Sequence, residues 1–118
     1  MEFKFENLVI WQKGMTLGED MNNLAQGFPK IEVFNLSSQI RRAADSIALN
    51  ISEGSILQSG KEFRKFLGYA IRSLAEVVTC LHKARRREYI NENEFMIHYK
   101  NCFDLMNMTI AFRKKIKL

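Results

Sequence analysis

Arg42, Ser46, Asn50 and Glu53 recur at steps of four, four and three within RRAADSIALNISEG, residues 41–54. On a helix turning by about 100° per residue, these four fall within about 80° of one another. A guanidinium, a hydroxyl, an amide and a carboxylate on one face admit three kinds of chemistry: catalysis, anion binding, or a polar seam between packed helices. A catalytic serine needs an adjacent base, and Ser46 has no neighbouring histidine. No second carboxylate pairs with Glu76 at a metal-ligand spacing. A seam is the reading these residue types favour: buried polar groups must all find partners, and in return they fix helix register.

The partner positions lie downstream. Glu62, Tyr69, Ser73, Glu76 and Cys80 step by threes and fours, or nearly so, beside an apolar helical face. Counting outward from the short connection between the two helices brings Arg42 level with Glu76, with Ser46 and Ser73 nearby. Asn50 and Glu53 then sit near the connecting loop, where Glu53 can accept from loop amides, Arg64 or Lys65. The expected structural seam is Arg42, Ser46, Asn50, Glu53, Ser73 and Glu76, and no residue is assigned a catalytic, cofactor-binding or metal-binding role.

These side chains need four helices to hold them, over about residues 6–26, 36–54, 60–88 and 92–115. In the first, Ile10, Gly14, Leu17, Met21, Leu24 and Phe28 keep helical spacing. Gly14 and Gly18 weaken it by about 1 kcal/mol each relative to Ala, but admit a close neighbour. Gly27-Phe28-Pro29 stops it, with glycine suited to a left-handed cap. Asn35 or Ser37 caps the second helix, Ile40, Ala44, Ile47 and Ile51 form its stripe, and Gly54 ends it. Ser59 and Glu62 form a capping box for the third. Its apolar face is Phe63, Phe66, Leu67, Ala70, Leu74, Val77, Val78 and Leu81. Asn91 and Glu94 cap the fourth, whose face is Met96, Tyr99, Phe103, Met106 and Ile110, flanked by Phe95, Cys102 and Phe112. Short connections make neighbours antiparallel, so the expected fold is all-α: a single-domain, up-down-up-down four-helix bundle over residues 1–118.

The composition agrees. A chain of 118 residues, 47% hydrophobic and 26% charged, can bury a core without metal or disulfide staples. Its net charge of +5 favours an anionic partner such as RNA, DNA or an acidic protein. Cys80 and Cys102 match neither a zinc nor a redox spacing and read as buried free thiols in a reducing compartment. The N-terminus lacks the pattern of a signal peptide, and no apolar run is long enough to span a membrane, so the protein is expected to be cytoplasmic.

Leu36-Ser37-Ser38-Gln39-Ile40-Arg41-Arg42-Ala43-Ala44, Ser46-Ile47, Asn50-Ile51, Glu53-Gly54, Lys61-Glu62-Phe63, Phe66-Leu67, Ala70, Ser73-Leu74 and Glu76 follow one another in an order that resembles one bacterial family. It is the four helix bundle protein family, also called the 23S rRNA intervening-sequence protein family and often labelled a ribosomal protein. Phe28-Pro29 fits as well, and the likeness covers nearly the whole chain. The resemblance implies an antiparallel four-helix bundle. Members are similar to the accessory variability protein of diversity-generating retroelements, a basic homopentamer that binds nucleic acid and a reverse transcriptase, which implies a homopentamer here too. Many members are encoded inside intervening sequences of large-subunit rRNA genes, which suggests association with RNA. One departure stands out: members often carry basic residues in the loop between helices 2 and 3, where this chain has Ser55-Ile56-Leu57-Gln58. Ile56 and Leu57 can instead pack against a neighbouring subunit.

Basic residues gather at Arg41-Arg42, at Lys61, Arg64 and Lys65, at Lys83, Arg85, Arg86 and Arg87, and over residues 113–117. In an up-down bundle the starts of helices 1 and 2 and the end of helix 3 are expected to share one end. Arg41, Lys83, Arg85, Arg86 and Arg87 are therefore the candidate nucleic-acid contacts, repeated around an oligomer. No sequence-reading module is present, so binding should tolerate sequence and weaken with salt. The alternative is a protein-interaction scaffold or adaptor that does not touch nucleic acid directly.

Overall fold

Helix-forming periodicity acts where the sequence places it, while several helix ends and caps differ. The computed structural model describes residues 1–118 and contains α1 (Val9–Gln26), α2 (Leu36–Ile56), α3 (Gly60–Arg86) and α4 (Glu92–Lys114), with 3-10 turns at Lys4–Asn7 and Lys30–Glu32. Each helix packs on the next, and α4 returns to α1, giving an up-down-up-down bundle of 44 × 23 × 23 Å. The α2–α3 contact is the most extensive and α1–α4 the thinnest. No helix is long and apolar enough to cross a membrane.

Ile40, Ala44, Ile47 and Ile51 of α2 are fully enclosed, facing Leu67, Ala70, Leu74, Val77 and Leu81 of α3 and Met21 of α1. Burying each large aliphatic side chain contributes about 1.5–3 kcal/mol, so this layer holds the bundle together. Gly14 and Gly18 are buried in α1, and a Cβ on Gly14 would come within 3.3 Å of Ile47. The two glycines let α1 lie close on α2, as their spacing predicts.

The helix ends differ from expectation in ways that have local causes. Leu8 is extended and delays α1 to Val9. Gly27 ends α1 at φ −84°, a right-handed conformation and not the left-handed cap expected of it. Gly54 does not end α2 either. It lies inside the helix because a Cβ there would sit 2.6 Å from the Phe66 Cβ, so glycine serves close packing of α2 on α3. The left-handed turn falls instead at Gln58 (φ 54°), and after α3 at Glu88 (φ 62°). Asn35 occupies the α2 cap position but accepts no backbone hydrogen bond through its side chain. The Glu32 carboxylate takes that role, accepting from the Leu36 amide at 3.3 Å. Ser59 accepts from the Glu62 amide, while the Glu62 carboxylate pairs with Lys65 at 2.9 Å rather than closing the box. The Asn91–Glu94 box is complete, at 2.8 and 2.9 Å.

The largest correction concerns α4. Its core positions are Phe95, Cys102, Leu105 and Thr109, whereas Met96 and Phe103 are 48% and 56% exposed. Apolar residues surround this helix on nearly every side, so the periodicity marks no unique face. Thr109 enters the core by donating its hydroxyl to the Leu105 carbonyl at 2.7 Å.

Candidate functional site

The end of α1, the start of α2, the end of α3 and the start of α4 share one end of the bundle. The start of α1, expected here from the sequence, lies at the other end, where Phe5 meets Ser52, Ile56 and Leu57.

At the shared end Glu32 is buried in the turn before α2. Its carboxylate accepts from the Tyr89 hydroxyl at 2.7 Å, from Arg87 at 3.0 Å and from the Asn35 amide at 3.0 Å, besides the Leu36 amide. The Tyr89 hydrogen bond does most to hold the Glu32 carboxyl below its ordinary pKa. Burial opposes it, and Leu36, Asn35 and Arg87 reinforce it. The same bond pushes the Tyr89 phenol upward, with burial adding to the shift. Phe28 packs against Tyr89 with the rings tilted and their centroids 5.6 Å apart, so one cluster ties the α1–α2 turn to the end of α3.

Local contacts at this end divide the five candidate cations. Arg87 pairs with Glu32 at 3.0 Å. Arg85 pairs with Glu92 at 3.2 Å and lies 3.7 Å above the Phe95 ring, with its guanidinium 3.4 Å from His82 Nδ1. Arg41, Lys83 and Arg86 are exposed and take part in no ion pair. Two of the five therefore brace the fold and three face solvent.

The seam is assembled in part. Ser46 donates to Ser73 across the α2–α3 contact and Asn50 donates to the Ser46 carbonyl at 2.8 Å. Ser46 also lies 2.8 Å from the Ala43 carbonyl. No ion pair joins Arg42 to Glu76, and both are exposed. The Ser46–Ser73 register puts Arg42 level with Val77, which is fully buried, so Glu76 at that level is turned to solvent. Glu53 is exposed and lines an open apolar hollow with Phe5, Ile56, Leu57 and Phe66 instead of meeting Arg64 or Lys65. The Arg64 carbonyl accepts from Arg113 at 2.8 Å.

Nothing in this arrangement activates a nucleophile. The two thiols are buried, and desolvation raises Cys80 to about 11 and Cys102 to about 12. No three His, Cys, Asp or Glu side chains converge as metal ligands would.

Sequence reasoning missed Glu32 and Tyr89. The available signal was a lone acid inside the apolar run Ile31-Glu32-Val33-Phe34, four residues before the first buried residue of α2.

A family model described as 23S rRNA-intervening sequence protein matches residues 6–111. The fold is similar to that of a crystal structure of a protein of unknown function from the S23 ribosomal protein family of Bacteroides thetaiotaomicron VPI-5482. The TM-score is 0.84 at 25% identity, over 91% of this chain and 100% of that one. No curated protein matches.

Proposed function

The chain belongs to the 23S rRNA-intervening sequence protein family, and on that premise we propose that it is a non-enzymatic, cytoplasmic, oligomeric protein that associates with nucleic acid, RNA above all, without reading its sequence. The observation that carries this reading is the unpaired set Arg41, Lys83 and Arg86 at one end of the bundle. Phosphate binding by such a set releases counterions, so affinity rests on charge and not on base identity. In the homopentamer that the family resemblance suggests, the set is repeated and modest contacts add through multivalency. Anisotropy titration against unrelated RNA sequences tests the reading. Affinities should agree between sequences and fall steeply from about 50 to about 200 mM salt. Salt-insensitive or absent binding at micromolar protein contradicts it.

A second reading, a scaffold or adaptor, is supported by the outward ridge of Met96, Ile97 and Phe103 on α4. It predicts capture of a protein partner that survives nuclease treatment.

A further inference from the structure

The turn before α2 exposes an unusual amount of apolar surface. Phe34 is 97% exposed and Ile31 85%, with Val33 also outward at 48%. Glu32 explains the arrangement. Its carboxylate is pulled inward by Tyr89, Arg87 and the Leu36 amide, and this anchors the turn. Turn hydrogen bonds from Glu32 to Pro29, Val33 to Lys30 and Asn35 to Glu32, at 2.9, 3.1 and 2.9 Å, stiffen it. Ile31 and Phe34 are both left facing water from this turn.

The end of the bundle that carries this apolar pair holds more cations than acids; of the acids there, Glu92 is held by Arg85, Glu94 closes the α4 cap and Glu88 is exposed. Lys30 lies in the same turn, Arg41 follows early in α2, and the Arg87–Glu32 contact brings the end of α3, with Arg86 and Lys83, to the same end. Glu32, the acid within the turn, is already engaged by Arg87 and Tyr89. An exposed aromatic ring among cations is the composition of a single-strand nucleic-acid surface, in which rings stack on bases and cations follow the backbone. Along its length a duplex keeps its base faces stacked inside and offers Phe34 nothing to stack on, leaving only the outer faces of its two terminal pairs.

We propose that Phe34 is a base-stacking residue and that the ligand of this end of the bundle is unpaired RNA, not a continuous duplex. The proposal rests on the nucleic-acid reading above and names the strand state that reading leaves open.

Fluorescence anisotropy with a labelled, unstructured RNA of about twelve nucleotides and a blunt duplex of the same sequence tests it, using the full chain and its Phe34→Ala, Phe34→Trp and Arg86→Ala variants. Phe34→Ala should weaken single-strand binding about tenfold, change duplex binding by less than about twofold, and leave the salt slope unaltered. Phe34→Trp should retain single-strand binding. Arg86→Ala should weaken both ligands and reduce the slope by about one. The proposal is overturned if Phe34→Ala binds single strands like the unaltered chain, or loses both ligands equally. It is also overturned if Phe34→Ala lowers the mass seen by light scattering while RNA affinity holds, because the turn is then a protein contact. If the unaltered chain binds neither RNA at low salt, the nucleic-acid reading fails and the proposal with it. Salt-dependent binding that ignores Phe34→Ala overturns the stacking role alone.

Discussion

Arg87 donates to the buried Glu32 carboxylate at 3.0 Å across 55 residues of sequence, and the pair joins the end of α3 to the turn that starts α2. Arg86, its neighbour, stays exposed and unpaired. Adjacent arginines therefore differ in their surroundings: one braces the fold and the other faces solvent.

Thermal unfolding should separate the two. Arg87→Ala leaves Glu32 with one fewer donor and should lower Tm by several degrees, whereas Arg86→Ala should stay within about 0.5 kcal/mol of the unaltered protein. Equal effects on Tm contradict the division of labour.

The Glu32–Tyr89 bond sets a pH dependence. Glu32 titrates below its reference value of 4.5 when folded. Its contribution to stability is present above that value and is lost as pH falls through the lower folded pKa. Tyr89 titrates above 10.0 when folded. Its contribution is present below that value and lost as pH rises through the higher folded pKa. Tm measured against pH should show both flanks, with Glu32→Gln flattening the acid side and Tyr89→Phe the alkaline side.

Glycine substitutions distinguish close packing from capping. Gly54→Ala forces a Cβ into Phe66 and should destabilise the protein by about 1–3 kcal/mol in denaturant titration. At Gly27 an added Cβ meets only the Leu24 carbonyl, at 3.5 Å, and φ is negative. Gly27→Ala should therefore be close to neutral in the same titration.

The polar seam reduces to its hydroxyl pair. Ser46→Ala should cost about 1 kcal/mol by stranding Ser73. Glu76→Gln should change stability by less than about 0.5 kcal/mol, because Glu76 is exposed and unpaired. Chemical denaturation of both variants checks the ranking.

Much of this architecture was legible because its signals are local. The stripe of Ile40, Ala44, Ile47 and Ile51 has a single period, and the Asn91–Glu94 box closes within one turn, so both read directly from the chain. The Ser46–Ser73 register was legible too, since a short loop fixes the axial level of antiparallel helices. The rotation of a helix about its axis was harder. Arg42 and Glu76 share a level but point to solvent, because Val77 fills the contact there. The α4 face was legible only in part: Tyr99 and Met106 pack against the core, but with apolar residues on most sides only packing sends Met96 and Phe103 outward and brings Leu105 and Thr109 in. Glu32 was invisible because its partners lie 55 and 57 residues away. The split of the five candidate cations depends on that distant contact for Arg87 and on the start of α4 for Arg85, so composition shows the charge but not which cations remain free.

The most direct test of the central claim compares the salt dependence of RNA binding by the unaltered chain and by the triple variant Arg41→Ala, Lys83→Ala, Arg86→Ala. The triple variant should remain folded and lose at least about tenfold in affinity, with a shallower slope of log affinity against log salt. Unchanged affinity and slope contradict the claim, most sharply if neutralising Lys114, Lys115 and Lys117 at the opposite end abolishes binding instead.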